Sequence, residues 1–159
     1  MFAASAVAAA FLIVQGTASA DSSQGTSPEQ TASVVRAASG DQVGAVSRLT
    51  EAGGRLSADL SNGEVSIGAD ADSPVVISPG DDKAVLLDLP NVSTGEAVQT
   101  SDGTVVRPGP DASTSVQALT NGHIRAAVTL HNADAPKAYP FSFTLPEGAA
   151  LRPGAANPL

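Results

Sequence analysis

The chain has 159 residues, a net charge of −8 at neutral pH and no cysteine. That length suits one domain and is short for two. The acidity argues against nucleic acid and anionic membrane surfaces as partners, and the lack of thiols removes disulfides and thiolate metal sites. No run of like charge exceeds two residues, so the charge reads as a dispersed, solubilising surface.

The apolar run Ala6 to Val14 leads into Ala18-Ser19-Ala20, a small-x-small pattern that suits signal peptidase. The run is about half the length a transmembrane helix needs. Residues 1–20 are therefore expected to be a signal peptide cleaved before Asp21, with no stable membrane insertion afterwards. No Lys or Arg precedes the apolar run, so the natural start is expected upstream of Met1.

Residues 21–54 read as a flexible leader with short helices. Ser27, Pro28 and Gln30 supply a cap, a first helical position and a capping box, and Gly40 is a stop. A second, weaker helix is expected from Asp41 to Ala52, ended by Gly53-Gly54.

From Arg55 the apolar residues recur with period two. Nine short runs follow, and Asn62-Gly63, Asp102-Gly103 and Asn121-Gly122 are expected to form two-residue type I′ turns. Residues 55–159 are thus expected to be a mainly β domain, an antiparallel β-sandwich or small barrel of short hairpins. The last two runs, His123 to Leu130 and Lys137 to Pro146, are expected to pair as a hairpin. Alternation puts Ile124, Ala126, Val128 and Leu130 on the core face and His123, Arg125, Thr129 and His131 on a wet face. Tyr139, Phe141, Phe143 and Leu145 share the other core face, and Pro140 marks an edge.

Candidate chemistry is sparse. His123 and His131 lie roughly 26 Å apart along one strand, too far to share an ion. Asp70, Asp72, Asp81, Asp82 and Asp88 form the densest acidic region, and hard cations take such oxygens. Their spacing fits no EF-hand, and turns use the same residues. Serine hydrolase chemistry would need an oriented base beside a nucleophile, yet no GxSxG elbow occurs. Asn91-Val92-Ser93 matches a glycosylation acceptor, read here as a loop. No catalytic, cofactor-binding or metal-ligating residue is assigned, and no cofactor is expected.

The segment "SDGTVVRPGPDASTSVQALTNGHIRAAVTLHNADAPKAYPFSFTLPEGAAL" (Ser101 to Leu151) resembles one found in uncharacterised secreted proteins of actinobacteria. Those carry a "DGTVVYP"-like strand, an "SVQ" strand and an "APxxYxF…LPEG" hairpin, with a tyrosine often at the position of Arg107. The resemblance implies export and a β-rich module, and that the chain is truncated at Leu159. It transfers no catalytic residue. The expectation is a secreted, non-catalytic β-module with a cell-envelope or extracellular partner. The alternative is the leader or pro-region of an exported hydrolase whose catalytic domain lies downstream.

Overall fold

The computed structural model describes residues 9–15, 26–40, 44–80 and 83–151. They form two β-sheets packed face to face, with one helix on the outer side of the first sheet. The first sheet has the order β1-β10-β9-β8-β7. Its strands are β1 (Ala9–Gln15), β7 (Val98–Gln99), β8 (Val105–Arg107), β9 (Ala112–Ala118) and β10 (Ile124–Leu130). The second has the order β11-β6-β5-β4-β3-β2. It comprises β2 (Thr50–Ala52), β3 (Arg55–Leu60), β4 (Gly63–Gly68), β5 (Val75–Ser78), β6 (Val85–Asp88) and β11 (Ser142–Thr144). All pairings are antiparallel except β1 with β10. This is a sandwich and not a closed barrel. β3 to β11 are the nine strands expected from period-two patterning.

The core lies between the sheets. Val65, Ile67, Val75, Ile77 and Leu87 of the second sheet meet Val105, Val116, Ala118, Ile124 and Ala126 of the first, with Leu49 beside them. Each strand contributes alternate residues to this layer because successive side chains point to opposite faces.

The opposite face of the first sheet departs from expectation. Arg125 and Thr129 were expected to be wet, yet both are buried. Helix α1 (Pro28–Ser39) packs along this face. The capping box expected at its start is present: Gln30 N donates to Ser27 Oγ at 3.3 Å, and Ser27 N donates to Gln30 Oε1 at 3.0 Å. Thr31, Ala32 and Val35 form its buried stripe.

The expected second helix is absent from residues 44–52. Ala45 to Ser47 run along the end of β9, with Val46 bridging Leu119, and Thr50–Ala52 form β2. Residues 41–43 lie outside the described ones. Gly53-Gly54 does not stop a helix but turns β2 into β3. Both glycines have positive φ, 59° and 74°, which a type I′ turn requires of its two central residues.

The Asn-Gly and Asp-Gly pairs behave differently. Leu119 N donates to His123 O, and Ala118 pairs with Ile124. The loop is therefore Thr120-Asn121-Gly122, one residue longer than expected. Thr100 N donates to Thr104 O, which gives Ser101-Asp102-Gly103 the same form. In each, the glycine comes last with φ of 83° or 90°, as a type I turn closed by a left-handed residue demands. At the third site Leu60 pairs with Gly63, so Ser61-Asn62 turns the chain and Gly63 opens β4.

The expected last hairpin does not form. β11 pairs with β6 in the second sheet, while β10 belongs to the first. The connection between them crosses the sandwich, and β11 is an edge strand, as Pro140 indicates. Phe141 and Phe143 do face the core, with Ser142 and Thr144 exposed, but the rings are half-buried against it.

Arg107 also differs from expectation. Where the resembling proteins often carry a tyrosine, this arginine is 2% exposed and the largest of the fully buried side chains among the described residues. It lies on the core face of β8 and reaches the second sheet. Nη2 donates to Gly68 O and Nη1 to Ala71 O, each at 3.1 Å. Ser93 Oγ donates to its carbonyl at 2.8 Å.

Two outcomes follow. Arg107→Met leaves both carbonyls without their charged donor and lowers unfolding stability by about 2–4 kcal/mol, measured by urea denaturation. Phe141→Ala costs about 1.5–3 kcal/mol, below the value for a fully buried ring, while Ser142→Ala changes the same midpoint little.

Candidate functional site

A group of charged and polar side chains gathers where the end of α1 crosses the β9–β10 end of the first sheet. Sequence reasoning did not single it out. A cleft of about 270 Å³ opens there, lined by Arg36, Asp102, Gln117 and Arg125, with Val46 and Leu119 on an apolar side.

Its side chains form one connected chain of hydrogen bonds. Arg125 Nη1 donates to Gln117 Oε1 at 3.0 Å, and Gln117 Nε2 donates to Thr104 Oγ1 at 2.9 Å. Thr104 N donates to Asp102 Oδ1 at 3.0 Å, as does Thr100 Oγ1 at 2.6 Å. Arg36 of α1 pairs with Asp102 Oδ2. The turn carrying Asp102 is also held by Glu29, which accepts from Ser101 N at 2.9 Å and Ser101 Oγ at 3.1 Å. Glu29 and Arg36, two turns apart on one helix face, thus fasten α1 to a single loop.

The electrostatics of the two ends differ. Burial would raise the Asp102 pKa, but hydrogen bonds from Thr100, Arg36 and Thr104 outweigh it and hold the carboxyl well below its usual 3.8. Arg125 has no carboxylate partner among the described residues, and burial alone pushes its pKa down.

The residues singled out from sequence lie elsewhere. His123 and His131 flank opposite ends of β10 and do not meet. His123 is exposed. His131 accepts or donates at Nε2 with Ser113 Oγ, 2.9 Å away, and its Nδ1 lies 3.3 Å from Pro110 O. Ser113 was missed because its contact with His131 is diagonal across the β9–β10 pair, visible only once register is known. Ser113 has no solvent exposure. Asn132 Nδ2 donates to Asp111 Oδ1 at 2.9 Å, and Asn132 Oδ1 accepts from Asp134 N at 2.9 Å. That is the loop chemistry expected of this stretch.

Asp70 and Asp72 are exposed on the loop before β5, above the Arg107 guanidinium, whose charge they favour. A cation from the protein itself already occupies the middle of this acidic loop. Asp88 is exposed at the end of β6, and Asp81 and Asp82 lie outside the described residues. Among the described residues no three His, Asp or Glu side chains converge as a metal site would require. Asn91 is exposed in a loop, while Ser93 is buried and bonded to Thr114 Oγ1 at 3.1 Å.

Comparisons with protein-family models, with curated proteins and with solved structures found no match to this chain.

The depressed Asp102 pKa fixes the sign of a pH effect. A carboxyl whose folded pKa lies below its unfolded value stabilises fully above the ordinary carboxylate range, and that stability is lost as pH falls. Asp102→Asn keeps an acceptor for Thr104 and Thr100 but removes the titrating charge. The variant is expected to lose less stability than the parent between about pH 5 and 2, measured by thermal unfolding across that range.

Proposed function

We propose that this chain is an exported, non-catalytic β-sandwich module that binds a ligand or partner in the cell envelope or medium. The observation that carries the reading is the state of the one serine–imidazole contact among the described residues. Ser113 and His131 are at hydrogen-bond distance, but Ser113 is sealed within the first sheet, where no acyl group can reach it. The buried Arg107 is likewise committed to backbone carbonyls. The cleft beside α1 is one place where polar groups face accessible space.

Support for export comes from the leader pattern ending at Ala20 and from the resemblance over Ser101 to Leu151. Among the described residues no helix is long and apolar enough to cross a membrane. Cleavage before Asp21 would remove β1 and turn β10 into the edge of the first sheet.

Two measurements test the reading. The protein recovered from culture medium is expected to have Asp21 as its first residue by intact mass, and a retained Ala9–Gln15 segment overturns export by cleavage. A fluorophosphonate serine probe is expected to leave the folded protein unlabelled. Labelling that Ser113→Ala abolishes would make this an enzyme.

A further inference from the structure

The two buried arginines of the sandwich are partnered in opposite ways. Arg107 gives two donors to carbonyls, and its Nε is sealed from solvent without a partner. Arg125 is 7% exposed and gives one donor, to Gln117. A guanidinium has five N–H donors in a fixed fork. Arg125 lines the cleft, and none of its remaining nitrogens is sealed away unpaired.

A cation held this far from water needs acceptors or an opposite charge, or it costs several kcal/mol. Among the described residues no carboxylate pairs with Arg125. Asp102 Oδ1 already accepts from Thr100 and Thr104, and Oδ2 is paired with Arg36. The end of α1, at Ser39 and Gly40, contributes only about half a negative charge from its free carbonyls. Among the described residues Arg125 is therefore undercompensated, within a protein whose net charge is −8. Gln117 fixes its orientation, because the amide oxygen faces Arg125 while the amide nitrogen is spent on Thr104.

We propose that this cleft binds a small aliphatic carboxylic acid, its carboxylate paired with the fork of Arg125 and approached at the rim by Arg36. Planar carboxylate matches planar guanidinium at two points. Ala45, Val46 and Leu119 offer apolar contact for a short chain. A volume of about 270 Å³ leaves room for a small acid. This deepens the binding reading and rests on it.

The probe is butyrate, titrated into the full chain at low ionic strength against sodium chloride at matched concentration. The readouts are the Nε–Hε resonance of Arg125 and the thermal midpoint. A saturable shift of that resonance with a raised midpoint is expected. Arg125→Lys, which keeps the charge and loses the fork, weakens binding by about tenfold or more. Arg36→Gln weakens it less. Should Arg125→Lys fail to fold, the parent titration alone decides. No saturable shift beyond the chloride control overturns the site, and an equal response to inorganic phosphate overturns the carboxylate assignment. Neither result bears on the mass of the exported protein or on its reaction with the serine probe, so failure here stays distinct from failure of the wider reading.

Discussion

A single buried guanidinium fixes how the two sheets of this protein sit against each other. Dispersion and apolar burial between Val, Ile and Leu faces hold the layers together, but such contacts are non-directional and let sheets slide. Arg107 removes that freedom. It starts on β8 and ends on the carbonyls of Gly68 and Ala71, so one side chain sets the position of the β4–β5 loop relative to the first sheet. Burying the charge is tolerable because both Nη atoms have acceptors and Asp70 and Asp72 lie in its field. Ser93 then ties the arginine's own carbonyl to the neighbouring loop, which links three segments through one residue.

The two faces of the first sheet obey different physics. Facing the second sheet are Val105, Val116, Ile124 and Ala126. Facing α1 are Ser113, Ser115, Gln117, Arg125 and Thr129, small or polar residues that bury little apolar area. Thr31 on the helix and Ser115 and Thr129 on the sheet each hold a buried hydroxyl without a partner, at a cost of about 1–3 kcal/mol apiece. The helix stays docked through Ala32 and Val35 and through the Glu29 and Arg36 contacts at one loop. Its attachment is directional and local, where that of the second sheet is broad and apolar.

How much of this was legible in the sequence follows from the range of each signal. Period-two alternation is local, and all nine later strands fall, to within one residue, inside the runs it marks. The Ser27 cap is equally local. Register depends on loop length, and Asn-Gly or Asp-Gly satisfies both a two-residue loop and the end of a three-residue one, so the turns were found and their length was not. Sheet membership is a long-range property. β10 and β11 are neighbours in the chain but lie in different sheets, because β6 offered Phe143 an edge that β10, flanked by β9 and β1, could not. Alternation placed Arg125 and Thr129 on one face correctly but could not reveal that α1 covers it. The cleft was invisible for the same reason, since Arg36, Asp102 and Arg125 come from three separated segments. The role of Arg107 was not legible, because nothing local reveals two carbonyls across the sandwich.

The parallel pairing of β1 with β10 carries a consequence in time. Ala9 is matched with Ile124, a separation of 124 − 9 = 115 residues. At about 5–20 residues per second of synthesis, roughly 6–23 s pass between the two segments leaving the ribosome. Throughout that interval the segment lacks the strand it pairs with. Its partner is among the later strands to be made, so translation itself holds the segment open before folding can claim it. Chain growth therefore leaves this one parallel pairing until β2 to β9 have all been made.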